Sequence, residues 1–135
     1  MTRTAKLLPT FAIAVMAALL GGCATGYHYS QLDGRRYIQT NIDTYPLQVT
    51  AVDGKSTAVT GPVLVEPGSH QVAVQTFPDK VHRLGIERTL TLDVKPCTHY
   101  YLVAVRPTPI SSDYSVKVDY EEPVPGCTAA HRCAP

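Results

Sequence analysis

Through most of the chain apolar and polar residues alternate one for one, the period of a strand with one buried face. Leu47, Val49 and Ala51 alternate with Gln48 and Thr50, and Val72, Val74 and Thr76 with Gln71, Ala73 and Gln75. Leu90, Leu92 and Val94 alternate with Thr89, Thr91 and Asp93, and Tyr114, Val116, Val118 and Tyr120 with Ser115, Lys117 and Asp119. Tyr100 to Val105 is different. It is almost continuously apolar, which predicts a central strand covered on both faces. Three shorter pieces complete the set. Arg35 to Ile42 reads as a first strand with Tyr37, Ile38 and Ile42 turned inward, Lys55 to Thr60 as a weak edge segment, and Val63 to Val65 as a short apolar strand. No long helical period appears.

Turn signals separate these pieces. Thr44-Tyr45-Pro46 breaks the first strand, and Asp53-Gly54 is a hairpin pair because Gly accepts positive φ. Glu66-Pro67-Gly68-Ser69 has Pro and Gly where a type II turn requires them. Pro78 to Gly85 reads as a loop whose Lys80, His82 and Arg83 form a small basic tip, most simply a solvated one. Pro96-Cys97-Thr98 turns the chain again, and Pro107 and Pro109 end the central strand. Short strands at even spacing predict an all-β fold: one β-sandwich of about seven strands, immunoglobulin-like in architecture, over residues 35–121.

The beginning of the chain breaks the pattern. Arg3 and Lys6 precede an apolar run from Phe11 to Leu20. The run is too short to span a hydrocarbon core, which needs about 20 apolar residues, and it has the layout of a secretory leader. It ends in Leu20-Gly21-Gly22-Cys23, which resembles the signal of bacterial lipoproteins. The resemblance implies that a lipid is attached to the Cys23 thiol, that residues 1–22 are removed as a signal peptide, and that the new amine is acylated. Each buried methylene would contribute about 0.8 kcal/mol, so several acyl chains hold a protein permanently at a membrane. In enteric lipoproteins a residue other than Asp after the cysteine favours the outer membrane. Ala24 therefore implies an outer-membrane protein facing the periplasm. Residues 23–34, with Gly26, Ser30 and Gly34, read as the lipidated N-terminus and a polar tether.

Two further segments carry resemblances. Val65-Glu66-Pro67-Gly68-Ser69-His70-Gln71-Val72-Ala73-Val74 resembles the core of PEGA-like domains, small β-sandwich modules of bacterial envelope proteins, with Glu-Pro-Gly-Ser in place of Pro-Glu-Gly-Ala. The resemblance implies a surface or scaffold role and no particular ligand. Pro96 to Val105 resembles a segment of small proteobacterial lipoproteins of unassigned function. Those tend to carry a second cysteine just after the last strand, the place of Cys127.

Composition narrows the functional classes. Without residues 1–22 the chain has 113 residues, enough for one domain with its own core. Loss of Arg3 and Lys6 leaves ten basic against 11 acidic residues. A net charge of −1 gives no footprint for nucleic acid and no polybasic membrane patch.

Cysteine and histidine carry the remaining chemistry. In an oxidising envelope disulfides are the default. With Cys23 assigned to lipid, Cys97, Cys127 and Cys133 remain. The expected pairing is Cys97–Cys127, tying the turn before the central strand to the segment after the last one, with Cys97–Cys133 and Cys127–Cys133 as alternatives. The tail, residues 122–135, holds Cys127, His131 and Cys133. Together with Cys97 and His99 these form an alternative ligand set for zinc or copper, although no spacing matches a standard metal motif. No nucleophile elbow, phosphate-binding Gly-rich loop or His-Glu-x-x-His is present, and Glu121-Glu122 has no partner for acid–base work. The expectation is a lipid-anchored envelope protein that binds or supports without catalysis and needs no cofactor. Other envelope proteins or cell-wall glycan are its expected partners. A periplasmic metal-binding lipoprotein is the second reading, and a small hydrolase the third.

Overall fold

The computed structural model describes residues 28–35, 42–57 and 61–128. Among them there is no helix, as the alternating pattern predicts, and there are eight strands where the spacing predicts about seven. The strands are β1 (Ser30–Asp33), β2 (Thr44–Val52), β3 (Lys55–Ser56), β4 (Val63–Val65), β5 (Gly68–Thr76), β6 (Glu87–Val94), β7 (Thr98–Val105) and β8 (Ser115–Pro123). They form one mixed sheet in the order β4-β1-β7-β2-β5-β6, with β3 added to β2 and β8 to β7.

β7 is central, as its apolar run requires. One edge pairs with β8 along its whole length. The other edge is divided. β1 runs parallel to its first half, Gln31 opposite His99 and Asp33 opposite Tyr101. β2 runs antiparallel to its second half, Thr44 opposite Val105 and Pro46 opposite Val103. β2 then changes partner and pairs with β5 from Leu47 onward. Pro46 tolerates this position because it sits at the hand-over. The Arg106 N–H donates to the Asp43 carbonyl and the Leu47 N–H to the Gly34 carbonyl, so odd-numbered residues of this stretch face β7. Alternation turns Pro46 the other way, toward an edge where β5 has not yet joined. Its missing N–H therefore breaks no ladder bond.

The core is drawn from nearly every strand: Leu32, Leu47, Val49, Val63, Val65, Val72, Val74, Val94, Tyr100, Leu102 and Ala104, with Tyr114 just before β8. The alternations in β2, β5 and β6 supply five of these residues, and β7 three more. Two bulges change the expected assignment. One in β2 lies between Val49 and Ala51 and reverses the phase, so that Val52, not Ala51, packs against the core. Thr57 holds this bulge, its N–H donating to the Thr50 carbonyl and its hydroxyl to that of Val49. The other lies in β8 where Leu102 pairs with Val118 and Tyr101 with Tyr120. Tyr114 is buried and Val116 packs on the core as expected, but Tyr120 is 46% exposed.

The start of the body also differs from expectation. The first strand is Ser30–Asp33, inside the stretch read as tether, and Arg35 and Ile42 lie outside strands. Ile42 is 92% exposed, not inward; Tyr37 and Ile38 fall outside the described residues. A Ser-initiated strand looks like linker because its anchor is polar. The Ser30 side chain is fully buried, donates to the Lys95 carbonyl and accepts from the Thr98 N–H. Thr44-Tyr45-Pro46 does not break a strand but begins β2. The strands on either side of Glu66-Pro67-Gly68-Ser69 do not pair with each other: β4 pairs with β1, and β5 with β2 and β6, so this segment is a corner between non-paired strands.

Gly34 lies against β2 at the hand-over. A Cβ there would collide with the carbonyl oxygen of Leu47 and lie 2.6 Å from its carbon, backbone that cannot swing aside. Gly34→Ala should therefore cost about 1–3 kcal/mol, the usual range for forced overpacking. Gly61→Ala, with nothing within 4 Å of the added carbon, should be near neutral. Denaturant midpoints of the two variants check this; equal midpoints would contradict the close approach.

Candidate functional site

β3 pairs only with β2, and β4 only with β1, among the described residues. Between these two edges opens a groove of about 290 Å³. Its apolar lining is Val52 with Val63, Leu64 and Val65 of β4; Asp53, Lys55, Glu66 and His70 supply charge. A concavity with an apolar wall and a few convergent polar groups is the usual form of a small binding site. Leu64 is 53% exposed in it. A second concavity, of about 330 Å³, is lined by Ile42, Asp43, Thr44, Val105 and Lys117 and holds one acid and one base, against four charged or titratable side chains in the first.

Local chemistry builds the polar side of the groove. The β2–β3 hairpin closes through Asp53 (φ 50°) and Gly54 (φ 76°) between Val52 and Lys55, the two left-handed positions of a type I′ turn, as the Asp-Gly pair predicts. Asp53 is thereby aimed at β5. Its Oδ1 accepts the Gln71 N–H at 2.9 Å, and its own N–H donates to the Gln71 carbonyl at 2.8 Å. Its Oδ2 lies 2.6 Å from His70 Nδ1, and His70 Nε2 lies 2.8 Å from the Glu66 carbonyl oxygen. The bond from His70, then that from the Gln71 N–H, holds the Asp53 carboxyl below its usual range. The Asp53 bond raises the His70 pKa, with burial opposing and the Glu66 carbonyl assisting. While both bonds stand, His70 has no free lone pair for a metal or for a substrate proton. The arrangement binds and fastens; it is not set up as a general base.

The residues singled out from sequence lie elsewhere. Cys97 and Cys127 form a disulfide with Cα atoms 5.4 Å apart, so neither sulfur is available as a thiolate. Cys97 takes φ 55°, its carbonyl accepts the Val124 N–H, and Cys127 Sγ sits 3.6 Å from the Tyr29 carbonyl oxygen. The disulfide thus ties the tail to the turn before β7 and to the approach to β1. Cys23, His131 and Cys133 fall outside the described residues. His99 stacks on Tyr101 at 4.2 Å and lies between Asp33 and Glu122 on the face of β7 away from the core. Among the described residues no group of three His, Cys, Asp or Glu side chains is placed to hold a metal ion. Glu121 and Glu122 separate, one pairing with Lys95 and the other accepting from the Tyr101 hydroxyl.

The 78–85 loop is not simply a solvated basic tip. Asp79 accepts from the Val81 and His82 backbone N–H groups and from the guanidinium of Arg106 at 2.8 Å. These donors, Arg106 foremost, hold its carboxyl far below the usual range. The Arg106 side chain is only 2% exposed and lies over the Tyr45 ring at 4.9 Å. Lys80 and Arg83 remain exposed. Neither Arg106 nor His70 carries a signal in the sequence. Arg106 only follows the apolar run, and His70 occupies an ordinary strand position whose partner is 17 residues away.

The disulfide closes a loop of 30 residues, which on the chain-entropy account contributes about 3–4 kcal/mol. Replacing Cys97 and Cys127 together by Ser should lower stability by about that amount in denaturant unfolding. Adding reductant to the double variant should then change nothing further at this site. Non-reducing digestion should link the two peptides, and an unlinked Cys97 peptide would contradict the pairing.

Comparison of the chain with known protein families, with curated proteins and with solved structures gives no match.

Proposed function

We propose that this chain is a lipid-anchored protein of the bacterial cell envelope, attached through Cys23, whose all-β body serves as a non-catalytic binding or structural module. The observation that carries the reading is the Cys97–Cys127 disulfide, which suits a protein working outside the reducing cytosol. It agrees with the compartment that the Leu20-Gly21-Gly22-Cys23 signal implies. The groove between β3 and β4 is the place where such a module would take a partner, whether another envelope protein or cell-wall glycan. Ala24 after the lipidated cysteine favours the outer membrane, with the body in the periplasm.

On the same reading the sheet folds over on itself as a β-sandwich of the PEGA-like kind. Two features support this. The core joins residues of β1, β4 and β7 to residues of β2, β5 and β6 in one cluster. The Glu66–Ser69 corner carries the chain between strands that do not pair, as a crossing between layers would.

Mass spectrometry of the N-terminal peptide from protein purified out of native membranes tests the anchor. The expected peptide begins at Cys23 and carries the mass of a diacylglyceryl group plus an amide-linked acyl chain. Cys23→Ser should abolish both the processing and the lipid mass. A wild-type protein that begins elsewhere and carries no lipid would overturn the proposal.

A further inference from the structure

His70 stands near the start of β5 between two segments that do not pair with each other. The β2–β3 turn meets it through Asp53 Oδ2 at 2.6 Å, and the β4–β5 corner through the Glu66 carbonyl at 2.8 Å. A carboxylate and a carbonyl both only accept. A neutral imidazole has one N–H, so it would satisfy one of them and turn a lone pair on the other. An imidazolium donates to both. The same two segments bound the groove: Asp53 and Lys55 line it on one side, Val65 and Glu66 on the other.

We propose that His70 is a proton-operated clamp that fastens the β2–β3 hairpin to the β4–β5 corner across the groove and parts the hairpin from the corner when it deprotonates. The clamp does not depend on lipid attachment or on what the groove binds. Two charged groups act on His70, Asp53 from the hairpin turn and Glu66 from the corner, and Lys55 of β3 lines the same groove. From β6 the opposing residue is Leu92, which carries no charge. Lys55 acts on Asp53, drawing its pKa down.

The sign follows from the direction of each shift. His70 is raised in the fold. Its contribution is complete below the unfolded value of about 6.5 and is lost as pH rises through the higher folded value. Asp53 is lowered. Its contribution is present above the ordinary carboxylate value of about 3.9 and is lost as pH falls through the depressed one. The clamp is therefore closed in mildly acidic solution and opens toward alkaline pH.

Hydrogen exchange of the full chain, read as protection factors at about pH 5.5 and about pH 9, tests the proposal. The amides to follow are Asp53, bonded to the Gln71 carbonyl, Thr57, bonded to that of Thr50, and Gln71, bonded to Asp53 Oδ1. Their protection should fall about tenfold at the higher pH relative to amides of β7, the scale of one charge-assisted bond. Imidazole NMR should show His70 titrating above a free histidine. Asp53→Asn keeps a residue that tolerates the left-handed turn and should return that titration to the ordinary range and flatten the exchange profile. The wild-type chain alone suffices to refute the clamp. Protection that does not differ between the two pH values, or a His70 that titrates like free histidine, overturns it.

Discussion

The whole sheet depends on how one edge of β7 is shared. A strand has two hydrogen-bonding edges, and β7 gives one of them wholly to β8. On the other, β1 covers residues 99–101 and β2 covers 103–105, running in opposite directions. At the junction the Gly34 carbonyl takes the Leu47 N–H, and no side chain can stand between them. From that point β2 is free of β7 and can pair with β5. The β5–β6 ladder, the β2–β3 hairpin and the groove beside it all follow from that change of partner. Three residues make it possible: Gly34, which admits the Leu47 backbone, Pro46, which needs no donor, and Leu47, which is fully buried.

Some of this was legible in the residues and some was not, and the division has a physical basis. Strict alternation marks one buried face, so β2, β5 and β6 could be read directly, and Leu47, Val49, Val72 and Val74 were recognisable as core. The run from Tyr100 to Val105 marked a strand covered on both faces; Leu102, Val103 and Ala104 are all buried, while Tyr101 and Val105 on the second face are half-buried. The Asp53-Gly54 pair marked its hairpin because few other residues adopt two successive positive φ angles. Bulges do not announce themselves in the pattern. The one in β2 reverses the phase, so that Val52 and not Ala51 meets the core, and in β8 both Val118 before the bulge and Tyr120 after it are exposed. Strands anchored by polar groups are equally silent. Ser30 reads as linker, yet its hydroxyl joins the start of β1 to the turn before β7. The corner at Glu66–Ser69 was recognisable as a turn, but only the pairing of the flanking strands could say that it closes no hairpin.

The two ends of the fold are secured by different chemistry. Where β6 passes into β7, the Cys97–Cys127 disulfide joins the tail to the turn, the Ser30 hydroxyl bridges the same turn, and the Tyr100 hydroxyl accepts the Lys95 N–H. Where β7 passes into β8, the anchor is ionic. Arg106 is buried under Tyr45 and reaches Asp79, which in turn organises the β5–β6 loop through backbone N–H groups. Burying a guanidinium is costly unless it is paired, so the Asp79 contact makes the Arg106 position tenable and the loop conformation necessary. A covalent tie constrains the unfolded chain as well as the folded one. The ionic tie works only once both loops have arrived.

His70 and His99 show why residue type alone does not define a site. Both lie in strands, both are largely covered, and both have oxygen acceptors near each ring nitrogen: two carboxylates for His99, one carboxylate and a backbone carbonyl for His70. For His99 those distances are 3.9 Å to Asp33 and 3.7 Å to Glu122, beyond hydrogen-bond length, and its Nε2 is buried without a hydrogen-bond partner. Its neighbours form a diffuse negative field, and its main contact is the Tyr101 ring. For His70 the distances are about an ångström shorter and aimed along both N–H directions, so the proton itself becomes the structural element. The difference comes from the backbone. Asp53 is held in a turn whose left-handed geometry and bond to Gln71 leave its second oxygen facing the ring, whereas Asp33 and Glu122 sit on strands whose register with β7 sets them beside His99 without aiming them at it. A rigid turn thus converts proximity into a directed bond at His70, where strand register alone leaves His99 with none to Asp33 or Glu122.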